Sequence, residues 1–366
     1  MAGGPRLVLL AAGGTGGHLF PAEALAEALK RRDVVVDLAT DERAERYGTK
    51  FPARDIHVIA SETVRGRDPL SLARTVGRLG FGTLQAMRLI GRIKPSAVVG
   101  FGGYPTVPPV LAATLRGIPT LIHEQNAVMG RANRFLASRV TAIATSFADV
   151  LARDPQLGAK ATRTGNPVRP AVIAAAAPYV APEPMGSLRL LTFGGSQGAR
   201  IMADIVPPAV ERLGRDLRAR LAIVQQAREE DIARVKEIYA RAQVTAEVAP
   251  FFTDLPARIA ASHLVVARSG ASTVAELAAI GRPAILVPLP HALDQDQSAN
   301  AGVLERAGGA LRLRQDDFTP ERLAAEIAAL ASAPQKLVAM ATAARSQGAV
   351  DAAERLADLV VKVAAA

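Results

Sequence analysis

Two glycine-rich segments offer the first chemical handle on this chain of 366 residues. Gly13-Gly14-Thr15-Gly16-Gly17 and Gly194-Gly195-Ser196-Gln197-Gly198 lie 181 residues apart, about half the chain, and each follows a short apolar run. A glycine-rich turn between a strand and a helix lets backbone N–H groups converge on an anion at the positive end of the helix. Two such turns would hold two phosphate-bearing groups. The dinucleotide pattern G-x-G-x-x-G fails, because counting from Gly14 puts Leu19 in the last position, and no G-x-x-x-x-G-K-[ST] occurs. The second segment also matches G-x-S-x-G, which leaves open a serine-hydrolase set of Ser196, Asp254 and His291. That reading gives no reason for the first loop, nor for the polar cluster around Asp294. Tight turns that serve only helix-on-sheet packing would account for either loop alone.

The elements that position these loops follow from the alternation of short apolar runs with longer amphipathic ones. RLVLLAA precedes PAEALAEALKRR, SAVVGF precedes VPPVLAATLRG, and TLIHE follows. The second half repeats the scheme with LRLLTF, ARLAIVQQ, HLVVA, AILVPL and ALRL. Such βα alternation predicts parallel sheets, and the length exceeds what one core usually carries, so two doubly wound α/β domains are expected. The crossing is placed near Gly165-Asn166-Pro167, giving domains of residues 1–166 and 167–345. AAAAPYVAPEPMG (174–186) has the composition of a linker or surface loop. The tail reads as helical from about Pro334, and a last helix over about 346–366 is expected to pack back on the first domain.

Composition narrows the partners. The chain has no Cys, which removes disulfides, thiolate zinc sites and cysteine nucleophiles and fits a reducing compartment. Its net charge of +10 is unevenly spread: residues 1–167 hold 22 Lys+Arg against 13 Asp+Glu (+9), and residues 168–366 hold 22 against 21 (+1). A basic first half suits an anionic partner there. With no Trp, four Tyr and no basic cluster interleaved with aromatics, nucleic acid is not expected. The opening apolar core, Leu7 to Ala12, is too short for a signal peptide and reads as a first strand. The uncharged stretch Pro95–Leu115 contains three glycines and four prolines, which bars a membrane helix.

Seven motifs then occur in order: GGTGGH (13–18), GFGGYPTVPP (100–109), HEQNAVMGRANR (123–134), TGNPVR (164–169), FGGSQGAR (193–200), RSGASTVAEL (268–277) and DQSANA (296–301). With them the chain closely resembles the MurG family, the peptidoglycan N-acetylglucosaminyltransferases of glycosyltransferase family 28, from the first strand to about Ala310. The resemblance implies the GT-B fold, two Rossmann-like domains with an interdomain cleft. It also implies a peripheral enzyme on the cytoplasmic face of the bacterial inner membrane. UDP-N-acetylglucosamine is expected mainly on the second domain, and lipid I, undecaprenyl-pyrophosphoryl-MurNAc-pentapeptide, on the first. No cofactor or catalytic metal is implied, and no D-x-D appears. Another GT-B lipid glycosyltransferase and a UDP-N-acetylglucosamine 2-epimerase remain as alternatives.

An inverting transfer needs a base for the incoming hydroxyl and charge stabilisation for departing UDP. His18, at the end of the first glycine loop and able to titrate near neutrality, is the base candidate, and Glu124 the second. Gly13, Gly14, Gly102, Gly103 and Tyr104 are expected at the acceptor diphosphate. Ser196 and Arg169 are expected at the leaving diphosphate, and Ala271, Ser272 and Thr273 offer helix N-terminal amides to the phosphate and sugar. Within the family pattern Glu276 accepts from the ribose hydroxyls, the Phe252 backbone meets uracil, and Asp296, Gln297 and Asn300 read the sugar. Thr15, Gly16, Gly17 and Asn126 complete the donor site from the first domain.

A docking face is expected between Arg65 and Lys94, where seven basic residues and a single acid, Asp68, interleave with leucines and Phe81. An apolar face bordered by Arg can lie in an anionic headgroup layer. Gly80 and Gly82 suggest an exposed turn there, with Leu79, Phe81 and Leu84 touching lipid.

Overall fold

The computed structural model describes residues 6–13, 16–42, 51–61, 69–195, 198–290 and 296–365, with side chains described from residue 74 in the segment that begins at 69. The chain divides into two compact units, Met1–Arg169 with Ala349–Ala366, and Pro170–Gly348.

Unit 1 begins β1 (Leu7–Ala11), α1 (Gly16–Lys30), β2 (Val35–Thr40), β3 (Ile56–Val58) and α2 (Pro69–Ile93). It continues through β4 (Ala97–Gly100), α3 (Val107–Leu115), β5 (Thr120–Glu124), α4 (Arg131–Ala137), β6 (Ala142–Thr145), α5 (Pro155–Gly158) and β7 (Ala161–Arg163). Among the described residues these strands form one parallel sheet, order β3-β2-β1-β4-β5-β6-β7. β1 is buried along its whole length, which is why it reads as a continuous apolar run rather than an alternating one.

Unit 2 contains α6 (Pro170–Ala175), β8 (Leu188–Phe193), α7 (Arg200–Glu211), α8 (Arg215–Ala219), β9 (Leu221–Gln226), α9 (Glu229–Arg241) and β10 (Thr245–Ala249). It then runs α10 (Leu255–Ala261), β11 (Leu264–Ala267), α11 (Ala271–Ile280), β12 (Ala284–Leu286), α12 (Asp296–Ala307), β13 (Ala310–Arg312), α13 (Pro320–Ala331) and α14 (Pro334–Ser346). Its sheet is again parallel, order β10-β9-β8-β11-β12-β13. Arg282, 3% exposed, aims its guanidinium at the carbonyls of Ala260 and Ala177 and lies over the Tyr179 ring, so it clamps the 177–179 segment onto this unit.

The last helix, α15 (Ala352–Ala364), belongs to unit 1. Leu356, Ala357 and Val360 enter the core on the α1 side of the sheet, while Arg31 and Arg32 pair with Glu354 and Asp358 at the rim. Burial supplies most of this attachment, because rim ion pairs contribute little.

One expectation is corrected. Gly80 and Gly82 form no turn; α2 runs unbroken over 25 residues. Each interior glycine of α2, Gly77 and Gly91 as well as Gly80 and Gly82, costs about 1 kcal/mol, and burial of Ala86, Leu89 and Ile90 against the core works against this. Gly82 serves close approach instead: a Cβ there would lie 2.0 Å from the Ala60 carbonyl oxygen. Helical spacing puts Val76, Phe81 and Leu84, 61%, 55% and 58% exposed, on the outward arc with Arg74, Arg88 and Arg92. Leu79 sits half-buried at the flank. No single described helix is long and apolar enough to cross a membrane.

Candidate functional site

In open parallel sheets ligands bind beyond the carboxyl ends of the strands, and both units carry polar groups there. In unit 1, β1 runs through Gly13 to α1, which has His18 in its first turn. Gly14 and Thr15 lie outside the described residues. β4 continues into Phe101-Gly102-Gly103, where both glycines hold positive φ (80° and 73°). That turn brings the backbone against the imidazole: a methyl at Gly102 would lie 3.5 Å from His18 Cε1, and one at Gly103 3.2 Å from Nε2. Tyr104 opens the short turn that follows, and the Thr106 hydroxyl lies 3.0 Å from the Ala11 carbonyl and 2.8 Å from that of Gly102. The Asp41 carboxylate would meet a methyl at Gly13 at 3.1 Å, a negative group beside the loop expected to face a diphosphate.

Glu124 closes β5 and is 1% exposed. Its carboxylate accepts from the backbone N–H of Asn126 (2.9 Å) and Gly130 (3.0 Å), and from the side-chain amides of Asn126 (3.2 Å) and Asn133 (2.8 Å). Burial pushes the carboxyl up against these four donors. The geometry makes Glu124 the organiser of the 124–133 loop that carries Asn126. His123, fully buried, donates from Nε2 to the Gly165 carbonyl (2.9 Å), and burial pushes its pKa down to about 4. Gln125 donates to the Phe101 carbonyl (2.8 Å), tying this loop to the Gly102 turn. Arg169 falls in unit 1, its guanidinium 4.0 Å from the Phe20 ring centroid.

In unit 2 the loop after β8 contains Gly194, Gly195 and Gly198; Ser196 lies outside the described residues, as does His291 of the hydrolase alternative. A Cβ at Gly194 would sit 2.2 Å from the Ala199 nitrogen, so the loop folds directly over it. α11 starts at Ala271 behind Gly270, which has no side chain to cap it, and the backbone amides of Ala271, Ser272 and Thr273 face that end. One turn on, Glu276 is 5% exposed on the same helix. Phe252 is buried, with the Arg258 guanidinium 4.3 Å from its ring.

The start of α12 is joined to the β11–α11 turn. Ser269 donates to the Gln297 carbonyl (2.8 Å), and Asn300 donates to the Ser269 carbonyl (3.2 Å). The Gln297 side-chain oxygen accepts from the Leu289 N–H (3.1 Å), and Asp296 accepts from the Gln297 N–H (2.9 Å). Arg268, 8% exposed, donates to the Val287 and Pro288 carbonyls and to Gln315, holding the strand-β12 exit. Sequence reasoning missed His123, Gln125, Asn133 and Arg268. For His123, Gln125 and Arg268 the local signal is a polar residue ending an apolar strand run, as in TLIHEQ and HLVVAR; Asn133, on α4, has none beyond its place in the HEQNAVMGRANR motif.

Unit 2 therefore offers a helix N-terminus whose N-cap residue, Gly270, has no side chain, a glycine loop and a buried carboxylate, groups that suit a diphosphate and a diol. Profiles of the glycosyltransferase family 28 N-terminal and C-terminal domains match residues 8–145 and 189–356. A protein of Rhodopseudomonas palustris (strain BisB18) named UDP-N-acetylglucosamine--N-acetylmuramyl-(pentapeptide) pyrophosphoryl-undecaprenol N-acetylglucosamine transferase is 66% identical over 98% of this chain and 96% of its own length. The crystal structure of Acinetobacter baumannii MurG superposes with a TM-score of 0.79 at 32% identity, covering 98% of this chain and all of that one. The chain belongs to the MurG family. Its fold is accordingly GT-B, two parallel-sheet α/β domains, and as a MurG-family member it is a glycosyltransferase. The Neisseria meningitidis UDP-GlcNAc 2-epimerase, solved with UDP-GlcNAc bound, has a TM-score of 0.68 at 13% identity over 98% of this chain and all of that one, a likeness of fold alone.

Proposed function

We propose that this chain transfers N-acetylglucosamine from UDP-N-acetylglucosamine to the 4-hydroxyl of the muramyl residue of lipid I, giving lipid II with inversion at the sugar carbon. The observation that carries the reading is the near-full-length 66% identity to a relative named for this transfer. In the reaction the acceptor oxygen bonds to the anomeric carbon, the bond from that carbon to the β-phosphate oxygen breaks, and UDP leaves with both electrons. The acceptor proton goes to a base.

His18 is the base in this reading, supported by its place at the start of α1 against the Gly102-Gly103 turn. Glu124 is a positioning residue rather than a second base, since its oxygens already accept four N–H groups. Gly13, Gly14 and Tyr104 frame the acceptor diphosphate. The amides of Ala271, Ser272 and Thr273, with Ser196 and Arg169, meet the charge that develops on departing UDP. Glu276 accepts from the ribose, the Phe252 segment meets uracil, and Gln297 with Asp296 reads the sugar. Gly16, Gly17, Thr15 and Asn126 complete the donor contacts from unit 1.

The membrane-facing surface in this reading is the outward arc of α2, with Phe81, Leu84 and Val76 set among Arg74, Arg88 and Arg92. It would dock the enzyme peripherally on the cytoplasmic leaflet, where the lipid-linked acceptor resides. Labelled UDP-N-acetylglucosamine incubated with and without a lipid I analogue tests the function. Acceptor-dependent transfer is expected; release of ManNAc without acceptor would support the epimerase instead.

A further inference from the structure

Gln226 is the last residue of β9, 6% exposed, and β9 lies between β8 and β10 in the sheet. Its side-chain amide reaches both neighbours. Oε1 accepts from the N–H of Gly194 at 3.0 Å, the first residue of the glycine loop. Nε2 donates to the carbonyl of Pro250 at 3.1 Å, the first residue beyond β10 and two before Phe252. The two bonds fix the amide's orientation, because only its nitrogen donates and only its oxygen accepts.

Both ends of this bridge are held firmly. Gly194 lies under the Ala199 backbone with no room for a Cβ, and Phe252 is buried beneath Arg258. On the Pro250 side the backbone adds its own tie, from Ala227 N–H to the Ala249 carbonyl (3.1 Å). A displacement of the 250–252 segment therefore moves the Gln226 amide, and with it the acceptor that fixes the Gly194 N–H at the start of the glycine loop.

We propose that Gln226 is a positioning residue that couples the nucleobase-side loop to the phosphate-side loop, so that the uridine and diphosphate halves of the donor bind interdependently. The inference rests on reading unit 2 as the UDP-N-acetylglucosamine site. It assigns Gln226 no contact with the ligand. The diphosphate's contribution to affinity is then set partly by a bond that the diphosphate never touches.

The test is calorimetry of uridine and UDP with the full chain, as wild type, Gln226→Leu and Gln226→Glu, together with donor kinetics. Leucine removes both bonds. It should lower UDP affinity roughly tenfold, shrink the UDP-to-uridine affinity ratio, and raise KM for UDP-N-acetylglucosamine while kcat stays within about twofold. Glutamate keeps the acceptor for Gly194 but sets an oxygen against the Pro250 carbonyl. It should weaken uridine severalfold at a wild-type UDP-to-uridine ratio; as an isostere it carries the test if the leucine variant does not fold, because uridine affinity at the wild-type value in the glutamate variant would by itself overturn the coupling. One ratio and one KM across all three proteins would overturn the coupling, as would a fall in kcat and Tm together at unchanged KM. A wild type without affinity for UDP would overturn the donor-site reading itself; wild-type binding with unaltered variants would overturn the coupling alone.

Discussion

Acid is expected to destabilise unit 1 through His123. The imidazole is wholly buried, its Nε2 donates to Gly165, and burial pushes its pKa from the ordinary 6.5 to about 4. Between those values the unfolded chain binds a proton that the native state refuses, so stability falls as pH drops below about 6.5 and the loss is complete below about 4. The interval is worth roughly 3 kcal/mol in full, of which roughly 2 kcal/mol is in force at about pH 4.5. His123→Gln keeps an N–H near the Gly165 carbonyl and removes the titration. Urea unfolding followed by circular dichroism suits a chain without Trp, and it should be run near pH 7 and near pH 4.5. Wild type should lose roughly 2 kcal/mol more than the variant between those two pH values in the unit 1 transition. His263 in unit 2, also buried and pushed to about 4, predicts a similar loss there that His123→Gln leaves in place. An equal acid dependence of wild type and variant in unit 1 would refute the reasoning.

Glu124→Gln sets an amide N–H₂ against two of the four N–H donors, whichever pair its nitrogen faces, and should cost about 2–4 kcal/mol of stability, read by thermal unfolding, and lower transfer while UDP still binds by calorimetry. Asp37 is buried on β2, and although burial pushes its carboxyl up, bonds from Arg54 (2.9 and 2.7 Å) and His57 (3.0 Å) hold it below the ordinary range. Its contribution is present above about pH 4 and lost as pH falls further; Asp37→Asn should cost about 1.5–3 kcal/mol near pH 7, read by urea unfolding, with a smaller difference in acid. Phe81→Ser with Leu84→Ser and Val76→Ser should weaken co-sedimentation with anionic vesicles at least tenfold at low salt while UDP affinity stays unchanged; unchanged sedimentation would move docking elsewhere.

The βα alternation in the sequence carried the fold class because central parallel strands are buried on both faces and read as unbroken apolar runs, as LVLLA and LVVA do. The ordered motifs carried the family. Local pattern misled at Gly80 and Gly82, where helix propensity argued for a turn and the contact that decides the matter, the Ala60 carbonyl, is more than 20 residues away in sequence. The same limit hid the bonds of the polar staples. Gln125, Gln226 and Arg268 end or follow strands and act through partners at the ends of other strands, and Asn133, on α4, acts on the end of β5; three of them fall inside the ordered motifs, but no motif shows which partner each one holds. Glu124 was visible as a titratable group, but its four donors, which turn a base candidate into an anchor, exist only once the 126–133 loop is folded around it.

The linkage and anomeric configuration of the lipid-borne product test the central claim most directly. Given UDP-N-acetylglucosamine and a lipid I analogue, the enzyme should yield a single β-1,4-linked disaccharide on the pyrophosphoryl lipid, identified by NMR couplings and mass. An α linkage, attachment at another hydroxyl, or free sugar in place of the lipid-linked disaccharide would contradict the account.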